Sequence, residues 1–156
     1  MLEEKAVTKL KEKQLKLATA ESCTGGLIAA MITSIAGSSE IFDRGFVTYS
    51  NQAKMDMLGV QPHTLEKYGA VSAQTAEEMA AGALKNSLAD IAISVTGIAG
   101  PGGGSPEKPV GTVYIGLGHK DWQTGESVKY QFEGTRTRIR ELTAQESLER
   151  ILKILT

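Results

Sequence analysis

The 156-residue chain has one cysteine, two histidines, four prolines and 5% aromatic residues, and neither sign of charge prevails. Each scarcity excludes something. A single cysteine, Cys23, allows no intramolecular disulfide and fits a reducing compartment. With only His63 and His119 beside it, too few soft ligands are left for a structural zinc site, and no metal is expected. Seventeen Lys+Arg against 18 Asp+Glu give a formal net charge of −1. That balance lacks the basic face of a non-specific nucleic-acid binder, so no nucleic-acid partner is expected. The longest mostly apolar stretch, Leu27–Ala36, is interrupted by Thr33 and Ser34. It is far shorter than the roughly 20 residues of a membrane span. The first residues, MLEEKAVTKLKEKQ, interleave charges and carry no apolar signal-peptide core. The expectation is a cytoplasmic protein with no membrane partner.

What is present is ordinary globular material, 41% apolar and 22% charged, in a length that suits one domain over 1–156. Glycine is the excess, with 17 residues, five of them within Gly97–Gly104. Three of the four prolines follow between Pro101 and Pro109, so TGIAGPGGGSPEKPVGT reads as a long loop of the kind that is usually functional or disordered.

Periodicity predicts a helix over 1–14, with Leu2, Ala6 and Leu10 on one face. A strand is expected at Leu15–Ala20, then a buried helix at Leu27–Ile35. A second strand is expected at Gly45–Ser50 and a short helix at Asn51–Leu58, stopped by Gly59. Ser72 caps a helix whose apolar face includes Ala76, Met79, Ala80 and Ala83. DIAISVT at Asp90–Thr96 reads as a buried strand, and Val110–Gly118 with Ser127–Phe132 as a hairpin. A last helix starts near Thr135. Alternating strands and helices plus one hairpin predict a three-layer α/β/α sandwich on a mixed, mostly parallel sheet with one antiparallel strand.

In open α/β sheets ligands bind beyond the carboxyl ends of the strands. Four polar clusters follow strands: Glu21–Gly26, Tyr49–Asn51, Thr96–Gly97 and Gly134–Arg136. In the first, Ser22 is a candidate nucleophile and the N–H groups near Thr24, Gly25 and Gly26 are candidate anion donors. Ser22 or Thr24 reads equally well as a plain helix cap. The motif is neither G-x-S-x-G nor a P-loop. Cys23 is a second candidate nucleophile. Lys54 falls in the first turn of a helix, where the dipole disfavours a cation, and desolvation there would make it a base. It reads otherwise as a solvated lysine. Glycines after the third strand are followed by a proline-rich loop, which argues against a dinucleotide fingerprint. Arg136, Arg138 and Arg140 crowd a helix start; Arg136 and Arg140 share a face and suit an anion, or simply solvent. His63 in a loop and His119 near the hairpin read as structural or surface residues, and Trp122 as an interface residue.

Taken together, these segments resemble the CinA C-terminal family, the nicotinamide-nucleotide amidases. The matching stretches are AESCTGG at Ala20–Gly26, GFVTYSNQAK at Gly45–Lys54, GAVSAQTAEEMA at Gly69–Ala80, SVTGIAGPGGG at Ser94–Gly104, KPVGTVYIG at Lys108–Gly116 and GTRTRIR at Gly134–Arg140. They run in family order over nearly the whole chain. The resemblance implies an α/β/α fold with a mixed five-stranded sheet. It also implies hydrolysis of nicotinamide mononucleotide to nicotinate mononucleotide and ammonia, as in pyridine-nucleotide salvage. The family's serine nucleophile falls on Ser22, its tyrosine and lysine on Tyr49 and Lys54, its loop threonine on Thr96 beside Gly97, and its arginine on Arg136. No cofactor is implied, and a homo-oligomer is expected. Many relatives carry an additional N-terminal pyrophosphatase domain to which nothing in these residues corresponds. The family's competence/damage-inducible name keeps open a nucleotide-sensing or partner-binding module with little turnover.

Overall fold

Strands covered on both faces need continuous apolar runs, and two segments supply them. β1 (Leu17–Glu21) is buried at every residue and β3 (Ile91–Gly97) at its first six. The computed structural model, which describes residues 1–156, places these two strands side by side near the middle of a five-stranded sheet ordered β2-β1-β3-β4-β5. β1 pairs in parallel with both β2 (Phe42–Val47) and β3. β4 (Thr112–His119) pairs antiparallel with β3, and β5 (Glu126–Gln131) antiparallel with β4. Half of the strand pairings are therefore antiparallel, and "mostly parallel" describes strand direction only: β4 alone runs against the rest. The edge strands β2 and β5 carry Asp43, Arg44, Glu126 and Lys129, charges that discourage further strand addition.

Side chains alternate across each strand, and the two faces are built from different sizes. Ile91, Ile93 and Val95 meet α1 (Leu2–Lys13), α2 (Leu27–Thr33) and α6 (Arg136–Ile154), with Leu10, Ile28, Ile32, Ile139 and Leu148 in the same core. Truncating a fully buried residue such as Ile93 to alanine would destabilise the domain by about 2–5 kcal/mol. Ala18, Ala20 and Ala92 face the other layer, α3 (Asn51–Leu58), α4 (Pro62–Tyr68) and α5 (Ala73–Lys85). Small residues there let α5 approach closely. A Cβ on Gly116 of β4 would lie 2.4 Å from the Ala76 carbonyl oxygen of α5.

Two expectations need correction. β2 ends at Val47, three residues before the expected Ser50, so Thr48 and Tyr49 lie beyond the strand with their carbonyls free to bond a side chain. α4 was not expected at all; Pro62 opens it, and His63 lies in this helix rather than in a loop. Elsewhere α3 spans the expected Asn51–Leu58, Ser72 and Thr135 cap α5 and α6 with their side chains, and the segment from Ile98 to Gly111 is loop between β3 and β4. No helix is long and apolar enough to cross a membrane.

Candidate active site

The carboxyl ends of β1, β2 and β3 share one edge because the three strands are parallel. Ser22 is the first residue past β1 and is held between its neighbours. Its N–H donates to Val95 O of β3 at 3.1 Å, and the Thr48 N–H donates to Glu21 O at 2.9 Å. The chain must then reverse into α2, and Gly25 and Gly26 do this with φ of 59° and 106°, conformations that cost a Cβ-bearing residue dearly. Ser22 ends 8% exposed, with its side chain at the floor of a cleft of about 220 Å³.

Lys54 enters that floor from α3. Ser50 caps the helix by accepting from the Ala53 N–H, which starts α3 immediately after Tyr49 and directs the fourth helical residue back under the end of β2. Lys54 is 1% exposed. Its Nζ lies 3.0 Å from Ser22 Oγ and hydrogen-bonds the carbonyl oxygens of Thr48 at 2.9 Å and Tyr49 at 3.0 Å. No carboxylate pairs with it. Burial without a countercharge penalises the ammonium form, so the Lys54 pKa is lowered from its ordinary 10.5. A neutral amine has two protons and one lone pair. In that form the two carbonyls would take the protons and the lone pair would be left for Ser22 Oγ. Cys23 also lines the cleft, but burial pushes its thiol up to about 11, which leaves almost no thiolate near neutral pH.

The rim is exposed. The Tyr49 side chain is 63% exposed and its hydroxyl accepts from Arg136 Nη2 at 3.2 Å, with no bond to Ser22 or Lys54. Arg136 Nη1 donates to Gly100 O at 2.7 Å, so one guanidinium ties the end of β2 to the glycine loop. Thr96 and Gly97 line the cleft with Ala70, Val71 and Ala99. The Thr96 hydroxyl donates to Ala70 O at 2.8 Å, which fixes the segment before α5 as the opposite wall.

Four expected site residues do not line the cleft. Thr24 is fully buried and its hydroxyl donates to Glu21 Oε1 at 2.6 Å. Gly25 and Gly26 form the turn behind Ser22. Arg140 donates to the carbonyls of Cys23 and Thr24, both at 3.0 Å. The first N–H groups of α2 are also not free for an anion: Glu21 accepts from Ile28 N at 2.9 Å and Ala29 N at 3.0 Å. In the turn, the Gly25 N–H donates to Ser22 O, while no carbonyl accepts from the N–H of Cys23 or Thr24. Sequence reasoning placed Glu21 in the first polar cluster without giving it a role, and missed the Ala70–Val71 wall. A glutamate closing a strand gives no signal of its direction, and Ala70 and Val71 carry no chemistry of their own.

A serine against a dry, unpaired lysine at this sheet edge coincides with a family match. The model of the CinA C-terminal domain matches residues 1–155. This chain belongs to the CinA C-terminal domain family. Among CinA-family relatives, a nicotinamide-nucleotide amidohydrolase PncC from Enterobacter agglomerans is 57% identical over 144 residues, 92% of this chain and 87% of that protein. A relative from Caldicellulosiruptor bescii, whose name places it among competence-damage inducible proteins, is 57% identical over 98% of this chain. The present chain spans 37% of that longer protein. Of solved CinA-family structures, the competence/damage inducible protein CihA from Agrobacterium tumefaciens superposes with a TM-score of 0.92 at 49% identity, covering 99% of this chain and 96% of that one.

Proposed function

We propose that this CinA-family domain hydrolyses the carboxamide of nicotinamide mononucleotide to the nucleotide carboxylate and ammonia, with Ser22 as nucleophile and Lys54 as general base. The observation that carries the reading is the 3.0 Å approach of a fully buried, countercharge-free Lys54 Nζ to Ser22 Oγ. A lysine wanted only for solubility or pairing would not be stripped of water and carboxylates together. The substrate class follows from the kinship with the amidohydrolase named above.

In this mechanism Ser22 Oγ attacks the carboxamide carbon as its proton passes to Lys54. Negative charge builds on the carbonyl oxygen, where the unengaged N–H groups of Cys23 and Thr24 stabilise it. Lys54 returns the proton to the departing ammonia, leaving an ester on Ser22. A water molecule, deprotonated by Lys54, then attacks that ester; the bond to Ser22 Oγ breaks, Lys54 returns the proton to Oγ, and the carboxylate leaves. Arg136 has five N–H donors and uses two on Gly100 and Tyr49, so it keeps donors for the substrate phosphate at the rim. Tyr49 holds Arg136 in place rather than relaying the serine proton, since its hydroxyl meets neither Ser22 nor Lys54. The mechanism requires no metal, and activity is expected to survive exhaustive chelation and dialysis.

The test is ammonia release from nicotinamide mononucleotide set beside nicotinamide, glutamine and asparagine. Release from the mononucleotide alone is expected. Release from another amide instead would keep the Ser–Lys chemistry and replace the substrate. Tight binding of the mononucleotide without ammonia would make the domain a nucleotide sensor.

A further inference from the structure

Two charged side chains outside the cleft grip the turn that follows Ser22. Glu21 is 1% exposed and receives three donors: Thr24 Oγ1, Ile28 N and Ala29 N. Consecutive extended residues point to opposite faces, so Glu21 turns into α2 while Ser22 turns into the cleft. Arg140 stands one helical turn beyond Arg136 on α6, and it does not reach the cleft as Arg136 does. Its Nε and Nη2 each take a main-chain carbonyl, of Cys23 and of Thr24, at 3.0 Å.

In a trans peptide the C=O and N–H point in opposite directions. A guanidinium fastened to Cys23 O therefore fixes the Thr24 N–H on the side away from Arg140, and no carbonyl accepts it there. The next peptide is tied at both ends: its carbonyl goes to Arg140 and its Gly25 N–H goes to Ser22 O. Hydrogen bonds from a cation also polarise the peptide they touch, which makes its N–H a stronger donor. Meanwhile Glu21 anchors the Thr24 side chain, so residue 24 is held by its carbonyl, its hydroxyl and its neighbour at once.

We propose that Glu21 and Arg140 are positioning residues that clamp the Cys23–Thr24 peptide so that its N–H is preset to receive the oxyanion formed when Ser22 attacks. Neither touches substrate. The proposal rests on the amide-hydrolysis reading and extends it; it also takes Arg140 out of the phosphate site and leaves Arg136 there alone. The same clamp explains why the α2 start is sealed by a carboxylate rather than left open to an anion: the donor that matters lies in the turn ahead of the helix, on the Cys23–Thr24 peptide.

The experiment compares wild type with Arg140→Ala, Arg140→Lys and Glu21→Gln in three readouts: steady-state ammonia release, hydrogen–deuterium exchange of the turn amides, and thermal melting. Misplacing one oxyanion donor typically lowers turnover by 10²–10³-fold, so Arg140→Ala is expected to lose about 100-fold in kcat with KM changed by less than about 3-fold. The loss is expected to be equal on the mononucleotide and its dephosphorylated riboside. Arg140→Lys, which keeps the charge but not the two-carbonyl fork, recovers part of kcat. Glu21→Gln places an amide where two N–H groups and a hydroxyl need acceptors, and loses about 10-fold in kcat by the same route. A KM rise confined to the mononucleotide in Arg140→Ala would overturn the proposal and return Arg140 to the phosphate; unchanged kcat would overturn it too. Exchange of the Gly25 amide, which is bonded to Ser22 O, is expected to quicken in all three variants while the amides of α5 keep their protection. If wild type releases no ammonia from any amide, the hydrolysis reading fails, and unchanged exchange in the turn would separately refute the clamp. Should Arg140→Ala not fold, Arg140→Lys decides by the same readouts.

Discussion

Lys54 and Arg136 are two basic side chains at one sheet edge, and they are held in opposite ways. Lys54 is buried, hydrogen-bonds two carbonyls, lies 3.0 Å from Ser22 Oγ, and has its ammonium form disfavoured by burial. Arg136 is exposed and bridges Gly100 to Tyr49 across the cleft mouth. Proton transfer needs an amine whose lone pair is available, and burial shifts Lys54 toward that form. Recognition of an anion needs a charge that persists and donors left over, and exposure supplies those. In the proposed mechanism the floor therefore carries the chemistry and the rim carries the selection.

The largest effect expected on this division is at the floor. Ser22→Ala should lower turnover by about 10⁴-fold or more, the severity seen when a nucleophile acting as part of a unit is removed, with an unchanged melting temperature. Turnover that stays near wild type would move the nucleophile to Cys23. Lys54→Met follows, with a loss of about 10²–10⁴-fold, the usual worth of a positioned general base. It should also change how stability depends on pH. Because the folded-state pKa of Lys54 lies below 10.5, the unfolded chain binds more protons between those two values. Wild-type stability should thus rise with pH across that window, and denaturant titrations should show the rise missing in Lys54→Met.

The rim should respond more mildly and more selectively. Arg136→Ala removes a charge-assisted contact worth about 1.5–3 kcal/mol, or roughly 10- to 150-fold in kcat/KM for the mononucleotide. The riboside should barely notice. Equal losses on both substrates would erase the distinction between rim and floor. Tyr49→Phe is the smallest: losing a neutral, exposed hydrogen bond worth about 0.5–1.5 kcal/mol should change kcat/KM by only a few-fold, through KM. A drop of several hundred-fold in kcat would make Tyr49 a proton carrier.

Legibility in the sequence followed the same division. The long periodic helices α1, α5 and α6, the buried strand β3 and the hairpin could be read from spacing alone. α4 could not, being seven residues long with proline at its start, and β2 was misplaced because an edge strand with Asp43 and Arg44 lacks an apolar run. The Ser22 turn announced itself through two glycines between a strand and a helix. The state of Lys54 did not: its spacing says which turn of the helix it occupies, not that β2 stops at Val47 and leaves two carbonyls to receive it. Arg140 shares a face with Arg136 by i,i+4 spacing, which suggests a common ligand. Tertiary packing sends one to the cleft mouth and the other to the main chain behind Ser22, a difference no local pattern contains.

The central claim is that Lys54 works as a neutral base on Ser22, and the pH dependence of kcat/KM for ammonia release from nicotinamide mononucleotide tests it most directly. Wild type is expected to rise through one ionisation below 10.5, the side to which burial moves Lys54, and then level off as the free amine saturates. In Lys54→Met that ionisation should be absent and the residual rate should climb with hydroxide alone. A variant with the wild-type profile, or with undiminished activity, would contradict the account.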